Sequence, residues 1–475
     1  MSQILTPDIC VIGAGSGGLT VAAAAAAFGV DVVLIEKGKM GGDCLNYGCV
    51  PSKAILAAGK HAHAIREAAH FGVFADEPKI DFRKVNQHIK SVIDSIAPND
   101  SVERFTALGV KVIEAAGKFI DASTVEAGDY TIKARRFVVS TGSSPFVPPI
   151  NGLDTVEYFT NETIFENKRK PAHLIVIGGG PIGMEMAQAH LRLGSKVTVV
   201  EGLKALGKDD PELAAIVLDK LREEGLEILE GAQVTSVEKR GKSGITVNYK
   251  IGDAEGSVDG SDLLVATGRA VNVEGLGLSE AGITYDRKGI KVKSDLRTTN
   301  RKVYAIGDVA GGLQFTHVAG YHAGLVIRGI LFRKKAVPNN HIIPWSTYTD
   351  PEMAHVGLAE ADAMEKYKQL KILRWPYHEN DRAQAERKTA GMIKMVTDKK
   401  GKILGVSIAG ANAGEMINIW ALAISKSMTV KDVAGYIPPY PTMSEIGKRA
   451  ATSFYSPYPN KPWIRSLVSF LRKFG

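Results

Sequence analysis

Short apolar runs that break into glycine clusters punctuate the chain. Ile9-Cys10-Val11-Ile12 reads as a buried strand, and it runs into Gly13-Ala14-Gly15-Ser16-Gly17-Gly18. An alanine-rich helix is predicted over 19–28, then a strand over 32–35 that ends at Glu36. The pattern returns at Leu174-Ile175-Val176-Ile177, which runs into Gly178-Gly179-Gly180-Pro181-Ile182-Gly183, a helix, and a strand over 197–200 ending at Glu201. The acid follows the first glycine at the same offset in both copies, 36 after 13 and 201 after 178. Apolar runs at 137–142 and 263–268 close on Thr141-Gly142 and Thr267-Gly268, and 303–308 closes on Gly307-Asp308. Ser144-Pro145 and Pro148-Pro149 mark a loop leaving the first domain. Beyond about Pro338 the texture changes to alternation at 372–375, 392–396 and 403–409, followed by a helix over 413–427. That stretch predicts antiparallel strands in an α+β domain.

A single glycine-rich loop is weak as a signal. Two, each set between strand and helix and each closed by an acid at one offset, predict two βαβ dinucleotide folds. The first glycine permits a tight turn, the second lets the backbone approach a pyrophosphate, and the third lets helix pack on strand. The helix N-terminus offers free N–H groups to the phosphate, and the acid is suited to a ribose diol.

At 475 residues the chain has room for about three domains. Hydrophobic residues are 45% and charged residues 23%, which excludes a disordered or collagen-like chain. The net charge of +8 is mild, and no basic stripe with interleaved aromatics points to nucleic acid. The N-terminus lacks a signal-peptide pattern and no run of apolar residues is long enough to span a bilayer, so a cytoplasmic location is expected.

The three cysteines are Cys10, Cys44 and Cys49. Cys10 lies inside the first strand and reads as core. Cys44 and Cys49 lie in Gly41-Gly42-Asp43-Cys44-Leu45-Asn46-Tyr47-Gly48-Cys49-Val50-Pro51-Ser52-Lys53. On a regular helix such a pair stands roughly 8–9 Å apart, whereas a disulfide needs Cα atoms within about 7 Å. A bridge would require local distortion, and a distorted bridge is easily reduced. Zinc is a rival reading, but without a CxxC pair or nearby histidine the donor set is poor, and no metal site is predicted. Two buried free thiols are the bland alternative.

On these motifs the chain resembles the pyridine nucleotide–disulfide oxidoreductases with a CxxxxC centre: lipoamide dehydrogenase, glutathione reductase and mercuric reductase. The resemblance runs from Asp8 to about Ser456. It implies an α/β fold with two Rossmann-like dinucleotide-binding domains and an α+β C-terminal dimerisation domain, working as a homodimer. The expected division is an FAD domain over 1–150, an NAD domain over 151–272, a central part completing the FAD half over 273–340, an interface domain over 341–456, and a tail over 457–475. By resemblance Gly13, Gly15, Gly18 and Glu36 would hold the ADP half of FAD, and Asp308 its ribityl chain. Thr141, Gly142 and Gly268 are further candidates on the cofactor side. Gly178, Gly180, Gly183 and Glu201 would hold the nicotinamide dinucleotide. Cys49 would lie against the flavin and Cys44 would face substrate, the two forming a redox disulfide. Lys53 would approach the flavin N5 and pair with Glu185; from the residues alone these read as a surface lysine and a helix glutamate. Glu201 would repel a 2′-phosphate, and 202–207 holds no arginine, so NADH is expected over NADPH.

One position departs from the pattern. Lipoamide dehydrogenases and glutathione reductases carry His-Pro-Thr near the C-terminus, with a glutamate five residues after the histidine, as acid/base for the interchange thiol. This chain has Tyr440-Pro441-Thr442-Met443-Ser444-Glu445, and no histidine follows His378. A phenol with pKa near 10 is a poor proton shuttle at pH 7. Mercuric reductases also have tyrosine here, but the adjacent C-terminal cysteines usual for them are missing. His317, His322 and His378 read as structural.

If the end of the chain is helical, Trp463, Ile464, Leu467, Val468, Leu471 and Phe474 share a face, while Lys461, Arg465, Arg472 and Lys473 supply positive charge without an acid. That pattern suits an interfacial helix on anionic lipid, at the inner face of a membrane, through 461–475. The alternative is a terminal helix packed on the dimer. Three functions compete: a reductase of small disulfides, a reductase of a thiol-bound metal ion with Tyr440 as ligand, and a slowly cycling membrane-surface redox sensor.

Overall fold

The computed structural model describes residues 2–242 and 244–474. Met1, Ser243 and Gly475, which the sequence reading placed in the first domain, the NAD domain and the tail, lie outside the described residues. The chain forms two compact units, one of residues 1–204 and 226–338 and one of 205–225 and 339–475. The first unit thus takes in nearly all of the segments expected as FAD, NAD and central parts.

Two parallel sheets organise the first unit. One has five strands in the order Val303–Ala305, Arg136–Val139, Ile9–Ile12, Val32–Glu36, Val110–Glu114. The other has four, in the order Glu227–Glu230, Lys196–Glu201, His173–Ile177, Asp262–Val265. In each, the strand feeding the glycine loop sits between the strand that ends in the acid and the strand that ends in Thr-Gly. Continuous apolar runs such as Ile9–Ile12 are buried along their whole length, as expected of strands covered on both faces. The helices after the loops are Ser16–Ala27 and Pro181–Arg192. The first begins at Ser16 rather than 19, because Gly17 and Gly18 are small enough to be buried in its first turn.

The second unit holds a five-stranded antiparallel sheet in the order Trp345–Thr347, Glu352–Gly357, Ile403–Gly410, Met392–Asp398, Leu370–Pro376. Its three longest strands are those the alternation marked. Trp420 of the helix Ala413–Ser425, with Tyr377, Ile393, Met395, Val406 and Ile408, fills its core. The helix Pro211–Glu223 belongs to this unit although the sequence reading placed it in the NAD segment. Lys394 explains the placement: its buried ammonium binds Asp210 at 2.8 Å, Glu212 at 2.9 Å and Glu360 at 2.5 Å.

The tail is the helix Pro462–Leu471 with a 3-10 turn Arg472–Phe474. Among the described residues, no helix is long and apolar enough to cross a membrane.

Candidate redox active site

The two glycine loops are built alike. Gly13 and Gly178 have φ of +104° and +111°, a region that favours glycine. A Cβ on Gly18 or Gly183 would lie 1.9 Å from the carbonyl oxygen of the loop's own first glycine, whereas a Cβ on Gly15 or Gly180 would meet nothing within 4 Å. The third glycine is therefore forced by packing, and the second keeps open space over the loop. Both following helices start without a side-chain cap, which leaves their first N–H groups available to an anion. These features fit a pyrophosphate at each loop.

The acids have a structural partner of their own. Glu36 accepts from Ala14 N at 2.6 Å and Gly38 N at 2.7 Å. Glu201 accepts from Gly179 N at 2.6 Å and Leu203 N at 2.8 Å. Each carboxylate holds its glycine loop with one oxygen and its own i+2 amide with the other, and retains acceptor capacity for a ribose hydroxyl.

The Thr-Gly strand ends meet each other. Ser143–Pro145, after the first, pairs antiparallel with Arg269–Val271, after the second. Thr141 Oγ1 donates to Asn272 O at 2.7 Å; Gly142 and Gly268 carry φ of +67° and +135°. This ribbon brings Arg269 to three groups. It donates to Ser143 Oγ at 2.7 Å, and its guanidinium lies 3.2 Å from Asp43 and 4.0 Å from Asp308. Asp308 also accepts from Ser143 Oγ at 2.5 Å. Burial pushes the Asp308 carboxyl above its usual range, against the opposing pull of Ser143 and Arg269.

Cys44 lies in the short helix Gly42–Asn46, and Cys49 opens the helix Cys49–Glu67. The distortion expected between them is a break at Tyr47-Gly48. Gly48 has φ −125° and ψ −108°, and a Cβ on it would lie 2.8 Å from Asp43 Oδ2. Asp43 is tied in turn to Asn161 Nδ2 at 3.1 Å. Gly42 packs directly on the first glycine loop, since its Cβ would lie 2.8 Å from Gly15 Cα. The pair is present in its reduced form, as two free thiols, Cys44 half-buried and Cys49 exposed. Cys10 is buried in the first strand.

The thiols are electrostatically unequal. Cys44 acting as donor lowers Cys49 to about 6, with help from Thr316 and the Lys53 charge and against partial desolvation of the sulfur. Cys44 moves upward because it supplies that hydrogen bond and is itself desolvated. The two shifts run in the direction that favours the proton on Cys44 and the thiolate on Cys49. Lys53 Nζ lies 2.8 Å from Glu185 Oε2, which joins the redox helix to the helix after the second glycine loop. Glu185 is 5% exposed, so this is not the plain helix glutamate of the bland reading.

Tyr440 and Glu445 lie in the second unit, apart in the chain from the cysteines of the first. The Tyr440 hydroxyl is exposed and donates to Asp381 Oδ2 at 2.8 Å. That carboxylate raises the phenol's pKa further, and Glu445 adds to it. His322 is buried and accepts from Gly307 N at 3.3 Å, a structural role; His317 stacks on Phe315 at 5.4 Å. Sequence reasoning missed Asp43, Ser143, Asn161, Arg269, Thr316 and Asp381. Three of them had a signal: Ser143 and Arg269 directly follow the two Thr-Gly pairs, and Asp43 directly precedes Cys44.

The family described as "Pyridine nucleotide-disulphide oxidoreductase" matches residues 7–323, and its dimerisation domain matches 343–451. Mercuric reductase from Lysinibacillus sphaericus is 35% identical over 94% of this chain and 82% of its own length. Dihydrolipoyl dehydrogenase from Geobacillus stearothermophilus is 34% identical over 94% of this chain and 95% of its own. Among solved structures, a Cu(II) complex of the HOCl-induced flavoprotein disulfide reductase RclA from Escherichia coli superposes with a TM-score of 0.82 at 27% identity, covering 92% of this chain and 98% of that one.

Proposed function

The chain belongs to the pyridine nucleotide-disulphide oxidoreductases, enzymes that bind FAD and a nicotinamide dinucleotide, and within that family we propose that it oxidises NADH and delivers the electrons through Cys44 and Cys49 to a small disulfide. The observation that carries this reading is the pair itself: two free thiols on either side of a break between two helices, with Cys49 Sγ 3.3 Å from Thr316 Oγ1.

Gly13, Gly15, Gly18, Glu36 and Asp308 would hold FAD, with Thr141, Gly142 and Gly268 at the strand ends beside it. Gly178, Gly180, Gly183 and Glu201 would hold NADH. Bound FAD supplies the passage of an electron pair from the nicotinamide to the disulfide. Lys53, fixed by Glu185, places a positive charge beside Cys49 and favours its thiolate. Towards the acceptor, Cys44 attacks one sulfur of a disulfide and releases the other. Cys49 then attacks Cys44, frees the second acceptor sulfur and closes the Cys44–Cys49 bond. The acceptor leaves as two thiols, which take the proton held on Cys44 and a second from solvent.

Cys44 must lose its proton to attack, and Tyr440 is a weak base for that task. A second reading follows from the Tyr440–Asp381 bond. With its O–H given to Asp381, the oxygen of the exposed phenol keeps acceptor capacity that a thiol-bound metal ion could use. The names of the relatives, mercuric reductase and a copper-bound disulfide reductase, agree with it. The dimerisation domain supports a homodimer. We place the enzyme in the cytoplasm, with its tail at the inner face of the membrane.

The deciding experiment is NADH oxidation by the purified flavoprotein with lipoamide as sole acceptor, set beside a thiol-bound mercuric or cupric ion. Turnover with lipoamide supports the first reading. Turnover with the metal alone selects the second. An NADH-reducible Cys44–Cys49 pair with neither acceptor turning over rejects both in favour of the slow redox sensor.

A further inference from the structure

We infer that the helix Pro462–Leu471 with the turn Arg472–Phe474 is a docking element for an anionic bilayer surface. None of its residues is buried. Trp463 is 61% exposed and Phe474 73%, and Leu467, Val468, Phe470 and Leu471 are exposed with them. At 100° per residue, these six and Ile464 fall within an arc of about 160°. Phe470 joins the face that the sequence pattern marked, and its ring meets Phe474 at 5.0 Å. Arg465, Ser466, Ser469, Arg472 and Lys473 occupy the remaining arc. From 457 to 475 there are four basic residues and no acid.

Scattered exposed leucines need no explanation, but a contiguous apolar stripe does. A ten-residue helix is marginal in water without a surface to lie on. A second copy of this helix is a poor cover. Two such tails face to face would join four positive charges to four, over only about 15 Å of helix. An anionic bilayer answers both the apolar stripe, with aromatics at the headgroup level, and the charge. Arg465 also fixes the helix start, donating to Pro459 O at 2.6 Å and Asn460 Oδ1 at 3.2 Å. This inference does not depend on which acceptor the redox site reduces.

The test is co-sedimentation of the full-length holoenzyme with vesicles of phosphatidylcholine, either pure or with roughly a third phosphatidylglycerol. The expected result is binding to the mixed vesicles only, falling with added salt. Leu467→Glu/Leu471→Glu should abolish it. Arg472→Gln/Lys473→Gln should weaken it roughly 25-fold, about fivefold per charge removed. Flavin content and NADH oxidation should be unchanged in both variants, which shows that each is folded. Absence of binding overturns the inference, as does equal binding to pure phosphatidylcholine or equal binding by the variants. A lower oligomeric mass for Leu467→Glu/Leu471→Glu by light scattering also overturns it, since the face would then belong to a protein contact.

Discussion

Thr316 Oγ1 lies 3.3 Å from Cys49 Sγ, and Thr316 is the first residue of the helix Thr316–Phe332. A hydroxyl and an uncapped helix N-terminus therefore meet the same sulfur. Both favour the anion, the hydroxyl by donating and the helix through its dipole. The reduced enzyme should show one thiolate forming near pH 6, followed by ultraviolet thiolate absorbance or the rate of alkylation. Thr316→Val should raise that midpoint by about one unit. A midpoint that does not move would leave the hydroxyl without influence on Cys49.

Glu201 sets a second expectation. Its carboxylate accepts from Gly179 N and Leu203 N, so a negative charge stands at the edge of the second glycine loop. A 2′-phosphate there would face like charge at short range, a cost of several kcal/mol. We expect kcat/KM for NADH to exceed that for NADPH by roughly 10²–10³. Glu201→Ala should narrow the ratio and also weaken NADH, because the loop amide of Gly179 loses its acceptor. Comparable kcat/KM with both cofactors for the unaltered enzyme would refute the assignment.

What was legible in the sequence was local. The glycine trios are fixed by steric demands and the acids by hydrogen bonds within one βαβ unit, and spacing exposed them, while the Thr-Gly strand ends showed as the close of apolar runs. The break between Cys44 and Cys49 was legible for the same reason, since the regular-helix distance is too long for a bridge. The remainder of the site is non-local. Thr316 reaches Cys49 across 267 residues and Ser143 reaches Asp308 across 165, and no periodicity encodes such a meeting. The helix Pro211–Glu223 was assigned by chain order, whereas its place is decided by Lys394 across 184 residues.

Tyr440 predicts a specific defect and its repair. With a phenol whose proton is committed to Asp381, lipoamide turnover should lie about 10²–10⁴ below that of an enzyme with an imidazole base. Tyr440→His should recover part of that factor and add a rising limb near pH 6.5. Tyr440→Phe should leave lipoamide turnover low while reducing turnover of a thiol-bound metal ion. If Tyr440→His changes neither rate nor pH profile, residue 440 does not serve the redox pair.

Lys394 tests what holds the second unit together. Its side chain is 5% exposed and meets three carboxylates, Asp210, Glu212 and Glu360. Burial works against its charge, but the hydrogen bonds to those carboxylates outweigh it and raise its pKa. Arg374 shares Glu212 at 2.8 Å. Lys394→Met would leave three carboxylates against one guanidinium, and breaking such a cluster on one side costs about 3–5 kcal/mol. The melting temperature should fall by roughly 10 °C. The acid limb carries a second signature. Glu212 is lowered to about 2, first by the Arg374 hydrogen bond and then by Lys394. A depressed carboxylate contributes stability above its unfolded pKa, near 4.3, and loses it as pH falls towards about 2. Because Glu212 is 38% exposed, that contribution is screened by solvent and is the smaller effect. The Lys394→Met variant should therefore be less stable at pH 7 and lose less on acidification than the unaltered enzyme, since part of the acid-sensitive contribution is already gone. Equal melting temperatures at pH 7 would show that the apolar core of the unit, rather than this cluster, fixes the helix Pro211–Glu223 in place.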